Sequence, residues 1–148
     1  MKDRIKIKFP IEEGSADFEV MYAMHSGDGF YVLDNSPFYT FGISYCDEFK
    51  AKSNDGELIF DSIVARSGHS TYRIKLPLNK EHDYFLEHWK LLADLGCSYE
   101  GSSVNMKRLY SIDMPPNVDV FQAYKIMEDL ENKGVWEFEE GHYCRARS

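Results

Sequence analysis

Ser67-Gly68-His69-Ser70-Thr71 gathers hydroxyls and an imidazole within five residues, the ingredients of a hydrolytic nucleophile and its base. That chemistry needs hydrogen-bond geometry and an orienting carboxylate rather than adjacency in the chain. No G-x-S-x-G elbow follows a strand here. The segment is therefore expected to be a structural hinge, with Ser67, Gly68, His69 and Ser70 satisfying backbone groups in a tight bend. A hydrolase built on His69 is the enzymatic alternative.

The five histidines, His25, His69, His82, His88 and His142, lack metal-ligand spacing. His82 and His88 are six apart on one expected helix and fall on different faces, whereas zinc-binding pairs sit four apart. No metal and no other cofactor is expected. His142 and Cys144 carry the types of a base and a nucleophile, but in a segment prone to fraying. Glu137 and Glu139 share one side of a strand, opposite Trp136 and Phe138. A glycosidase needs two carboxylates across a cleft, so this pair reads as a solvated face or an acidic contact ladder. Gly27-Asp28-Gly29 is too short for a phosphate loop. The sum is a protein expected not to be an enzyme.

Period-two alternation in Arg4–Phe9, then Phe18–Met24, predicts two strands before the turn Gly27-Asp28-Gly29 and the strand Phe30–Leu33. Glu48–Lys52 and Leu58–Phe60, joined by Asn54-Asp55-Gly56, predict a hairpin. Beyond Ser70 the pattern changes. Thr71–Leu76 alternates; Phe85, Trp89, Leu92 and Leu95 recur at helical spacing until Gly96. Cys97–Gly101 and Leu109–Ile112 read as strands. Asp119-Val120-Phe121-Gln122 opens a second helix, with Val120, Tyr124, Met127 and Glu131 on one row and Phe121 and Leu130 beside it. Trp136–Glu139 ends the series.

The fold class expected is α+β. Residues 1–68 form a small antiparallel β-barrel or curled sheet, and residues 69–148 a ferredoxin-like split βαβ half (βαββαβ). Two helices over one sheet face would bury Trp89, Leu92, Tyr124, Trp136 and Phe138 together. With 148 residues, 43% of them hydrophobic and 15% aromatic, the chain supplies a core without staples.

Cys46, Cys97 and Cys144 are odd in number and widely spaced, which suits reduced thiols in a cytoplasm. The amino terminus carries no signal-peptide pattern, and no run reaches membrane-spanning length. The net charge is −8, unevenly spread. Glu12–Asp61 holds 11 acidic residues against Lys50 and Lys52, and Asp119–His142 holds 7 against Lys125 and Lys133. The bases gather at Lys2–Lys8, Arg66–Lys75 and Lys107-Arg108. Nucleic acid selects basic surfaces, so it is excluded as a partner, as is a membrane. A basic protein fits instead. The expected contact carboxylates are Asp28, Asp34, Asp47, Glu48, Asp55, Glu57, Glu137, Glu139 and Glu140.

The runs Asp28–Tyr39, Gly42–Asp47 and Arg66–Thr71, with Leu95–Ser102 and Trp136–Glu140, resemble a bacterial family classed only as a domain of unknown function. The resemblance implies a bacterial cytoplasmic protein and gives Cys46 no shared role. In size and acidity the chain is also similar to immunity proteins of bacterial toxins, including those delivered by contact-dependent growth inhibition. That similarity implies a toxin domain, such as a basic nuclease, as the partner. The alternative is a small-molecule-sensing or regulatory domain, by analogy with paired ferredoxin-like halves.

Overall fold

The structure, a computed structural model, describes residues 4–12, 16–101 and 108–144. Lys2, Lys107, Glu13 and Ser102, which figure in the charge clusters and motifs above, lie outside the described residues.

Five strands come first: β1 (Ile5–Pro10), β2 (Phe18–Gly27), β3 (Phe30–Leu33), β4 (Glu48–Asn54) and β5 (Glu57–Ala65). Each is antiparallel to the next, and they close into a barrel in chain order. Reversing direction at every step leaves the fifth strand running with the first, so β5 meets β1 in parallel. Alternation sets the wall: Ile7 and Phe9 point inward from β1, and Met21 and Ala23 from β2, onto Tyr31, Leu33, Ile43 and Phe49. Burying each such large side chain contributes about 1.5–3 kcal/mol.

The second part runs β6 (Ser70–Lys75), α1 (His82–Ala93), β7 (Ser98–Gly101), β8 (Leu109–Met114), α2 (Val120–Asn132) and β9 (Glu137–His142). Its sheet has the order β7-β8-β6-β9, antiparallel throughout. The fold is therefore α+β, two mainly antiparallel sheets and two helices. In α1 the expected stripe Phe85, Trp89 and Leu92 is buried. In α2 the Asp119 carboxylate accepts the Gln122 N–H, the cap its position predicts.

The buried face of α2 differs from the expected row. Ala123, Met127 and Leu130 face the sheet, Phe121 is 72% exposed and Tyr124 is 38% exposed. The small Ala123 lets the helix sit close to the sheet, which turns Tyr124 to the rim against Phe138 at 5.2 Å. Trp89, Leu92 and Trp136 are buried in one cluster with Tyr72, Ile74 and Ile112, while Phe138 packs at its margin.

The sheet face away from the helices is polar: Thr71, Arg73, Ser111 and Asp113 project from it, yet all are buried. The cover is the β3–β4 connection, residues 34–47, which crosses from the barrel like a strap. No described helix is long and apolar enough to cross a membrane. None of the three cysteines, all among the described residues, forms a disulfide.

Candidate functional site

The strap is where most of the chain's buried polar chemistry is concentrated. On its barrel side, one carboxylate holds a whole turn: Glu19 accepts the N–H groups of Phe38 (2.9 Å), Tyr39 (3.1 Å) and Thr40 (2.8 Å), and the Thr40 hydroxyl at 2.7 Å. Successive amides aimed at one anion satisfy donors that a buried loop would otherwise orphan. On its sheet side, Ser36 Oγ meets Ser111 Oγ at 2.6 Å, and Arg73 Nη1 donates to the Thr40 carbonyl at 2.7 Å. Arg73 also donates to the Tyr39 carbonyl (3.3 Å) and lies over the Phe41 ring at 4.7 Å. Gly141 makes room for it: a Cβ at that position would fall 2.5 Å from Arg73 Nη1.

The segment 67–70 links the two parts and is tied at every residue. Ser67 N and Oγ donate to Asp47 Oδ1 at 2.8 and 3.0 Å, and Ser67 Oγ also reaches the Tyr45 carbonyl at 2.7 Å. Gly68 has φ +96°, and a Cβ there would lie 2.8 Å from Pro116 Cγ, so both backbone and space demand glycine. Ser70 Oγ accepts the Cys144 N–H at 2.9 Å. His69 Nδ1 is 2.8 Å from Asp113 Oδ1, with the Tyr45 ring edge-on to it. The Ser67 hydroxyl is directed to Asp47 and the Tyr45 carbonyl, not to the imidazole. Ser67 is thus not a serine that the pairing of His69 with Asp113 would activate. Burial pushes the Asp113 carboxyl above its ordinary value, against the pull of His69.

A serine–histidine contact does exist, between residues 98 apart in the chain: Ser44 Oγ to His142 Nδ1 at 2.8 Å, with Thr71 Oγ1 at 2.6 Å. Ser44 is fully buried, so no substrate reaches its oxygen. The sequence gives no sign of this pair. Cys97 and Cys46 are not activated as nucleophiles, which need a depressed pKa. Burial raises Cys97 to about 12. Burial also raises Cys46, helped by the charges of Asp113, Asp34 and Asp47 and opposed by the Tyr45 hydrogen bond.

His142 makes the cluster pH-sensitive. Burial, with Arg66 adding to it and Asp47 and Glu140 opposing, holds its imidazole below the ordinary 6.5. The unfolded chain then binds a proton that the folded protein resists. This part of the stability is complete above about pH 6.5 and is lost as the pH falls toward the folded value. His142→Gln is expected to flatten that part of the melting-temperature profile between roughly pH 7.5 and 5.5, measured by thermal unfolding. An unchanged slope would remove His142 as its source.

The nine expected contact carboxylates fall into three groups. Asp28 and Asp55 are exposed on turns at one end of the barrel, with Glu57 nearby, exposed and paired to Lys8 at 2.8 Å. Asp34, Asp47 and Glu48 have internal duties. Asp34 pairs with Arg4 at 2.9 Å, and Glu48 accepts the Ser26 hydroxyl at 2.8 Å. Asp47 is the clearest departure: it is fully buried, accepting from Ser44 N, Ser67 and Arg66, so it is a clamp and not a surface contact. The third group, Glu137, Glu139 and Glu140, is exposed on β9. Glu139 touches Arg73 at 3.3 Å and Glu140 accepts the Tyr72 hydroxyl at 3.1 Å.

β9 is an edge strand, paired only with β6 among the described residues. The Phe138 N–H is turned outward, where the Glu131 carboxylate of α2 accepts it at 2.9 Å. Beside this edge lies a groove of about 1030 Å³ walled by Leu78, Leu109, Phe138 and Lys75. Among the described residues, no group of three or more His, Cys, Asp or Glu side chains is placed to hold a metal ion.

The chain is similar in fold to a solved hypothetical protein from Neisseria gonorrhoeae, at 17% identity and a TM-score of 0.74, over 100% of this chain and 98% of that one. At that identity the likeness speaks to fold alone. Comparison with curated proteins gives no match. A family model described as "Domain of unknown function (DUF4265)" matches residues 19–138, the span from β2 through the strap into β9, and the chain belongs to that family.

Proposed function

We propose that this protein is a cytoplasmic bacterial immunity protein that captures a basic protein partner, a toxin domain, on the acidic edge of its second sheet. The observation that carries the reading is the placement of Glu137, Glu139 and Glu140, all exposed, on an edge strand with no partner strand among the described residues. On this edge Glu131 accepts the Phe138 N–H and the Gly42 N–H donates to the Gly141 carbonyl, so the attraction is carried by the three carboxylates, which favour a basic partner and repel a second copy of the same edge. The groove around Leu78, which is 85% exposed, mixes Leu109 and Phe138 with charges of both signs, Lys75 and Arg73 beside Glu131, Glu137 and Glu139, and adds surface that a partner would cover. We read this half as ferredoxin-like, from the order β6-α1-β7-β8-α2-β9 and its strand arrangement. Units 1–68 and 69–148 are the corresponding subdomains, joined by the strap and the tied segment Ser67–Ser70.

The strap's role in this reading is rigidity. Its polar groups are held by Glu19 of the barrel and by Arg73 and Ser111 of the sheet, which leaves the edge presented on a fixed frame at little conformational cost on binding. Neither the histidines nor the thiols are needed for the activity.

The test is whether the product of the gene beside this one, expected to carry the toxin domain, co-purifies with this protein and whether this protein protects growth against it. Reversing Glu137, Glu139 and Glu140 together to lysine is expected to weaken binding by about 100-fold or more, mostly lost at the first contacts of like charges. Reversal of Asp28, Asp55 and Glu57 at the far end of the barrel serves as the control and leaves affinity within a few-fold. A folded triple β9 variant that still binds and protects would overturn the assignment.

A further inference from the structure

The barrel is unevenly sealed. β1 pairs with β2 along its whole length, but its other seam, with β5, is bridged only at Lys8–Ile59. Past that bridge the wall parts between the end of β1 and the middle of β5, and residues 40–43 of the strap form the third side. The result is a cleft of about 610 Å³, within the size of ordinary small-ligand sites.

Its lining has a definite chemistry. Three rings, Phe9, Phe41 and Phe60, stand among Ile11, Ile43 and Ile63. Phe9 and Phe60 are stacked at 5.4 Å, and Phe41 is held from behind by the Arg73 guanidinium. The charged residues of the lining are Glu12 and Asp61, both acidic and both exposed, so they stand at the solvent side. Lys52 reaches Asp61 only at 4.0 Å and is itself largely exposed, a weak competitor for that carboxylate. Ring faces and carboxylates present the same sign of potential, and together they select a cation attached to an apolar body.

We propose that this seam cleft binds a small organic amine, an alkyl- or aryl-ammonium. Its apolar part lies against Phe41 and Phe60, with Phe9 buried behind them, and its charged head meets Glu12 and Asp61. An organic carboxylate of the same shape is refused by those two charges, and a neutral alcohol gains only the apolar contact. The site is separate from the β9 edge and draws nothing from the partner reading.

Three probes of one shape test it on the full chain: hexylammonium, 1-hexanol and hexanoate, titrated by calorimetry and by backbone amide shifts. Hexylammonium is expected to saturate one site at least about 10-fold more tightly than hexanoate, with 1-hexanol between them. The amides that move are those of Phe41, Gly42 and Ile63. The pair Glu12→Gln and Asp61→Asn is expected to make hexylammonium and 1-hexanol equal while the same amides still respond. Ile63→Trp fills the cleft and abolishes the shifts; should that variant fail to fold, the probe order and the double variant decide alone. Equal binding of hexanoate, shifts centred away from the seam, or no saturable binding at millimolar probe each overturn the proposal.

Discussion

Asp47→Ala is expected to lower the unfolding free energy by about 3–5 kcal/mol, read from urea denaturation. The side chain is fully buried and accepts from Ser44 N at 2.9 Å, Ser67 N at 2.8 Å, Ser67 Oγ at 3.0 Å and Arg66 Nη1 at 3.1 Å. Alanine leaves two backbone N–H groups without their acceptor in a region closed to bulk water, at about 1–3 kcal/mol each. Arg66 is partly exposed and recovers some solvation, so the loss stays within that range. Asp47→Asn keeps the shape but turns an amide donor toward donors, and is expected to cost about half as much. The strap ends at Asp47 and the inter-sheet segment begins at Ser67, so the loss should also raise amide exchange in both. A loss below about 1 kcal/mol would mean that the clamp is not what joins them.

Arg73→Leu carries the second large effect, a loss of about 2–4 kcal/mol. Two of its contacts differ greatly in worth. The Glu139 pair is 3.3 Å long with Glu139 more than half exposed, and such a pair adds little against solvent screening. The Thr40 carbonyl, 2.7 Å away in the interior, has no such recourse once the guanidinium is gone. Leucine also abandons the Phe41 ring face and leaves unfilled space beside Gly141. Glu139→Gln is therefore expected to change stability by less than about 1 kcal/mol, while Arg73→Leu unfolds the strap's attachment. Comparable losses in the two variants would place the energy in the ion pair. The contrast also bears on the binding test: Glu139→Gln removes charge from β9 without disturbing the frame, and the charge-reversed variant is compared with it because a lysine at 139 would stand close to Arg73.

The helix α1 was legible from Phe85, Trp89 and Leu92 because a stripe at helical spacing needs only near neighbours to be recognised. The β4–β5 hairpin was legible from Asn54-Asp55-Gly56, where Asp55 and Gly56 adopt the positive φ values the turn requires. On α2 the spacing marks Met127 and Leu130, which are buried, but it also marks Tyr124, which stays at the rim, and passes over Ala123. Val120, Tyr124 and Met127 fit the spacing as well as Ala123, Met127 and Leu130 do, and only the closeness of the sheet chooses between them. The site was less legible still. The sequence marks Asp28, Asp47 and Glu139 alike as carboxylates in acidic stretches, and nothing local separates an exposed turn from a buried clamp.

Composition and alternation by themselves determined an acidic α+β chain, with strands first and helices interleaved later, because those signals depend on residues within one or two turns of each other. The tertiary structure alone decided which charges remain outside. It buried Asp47 at the end of the strap, turned Glu19 of β2 onto the strap's amides, set Arg73 under Thr40 and joined Ser44 to His142 across most of the chain. The physical reason is that a buried charge is tolerated only where distant groups converge to satisfy it, and convergence over such separations is a property of the packed fold.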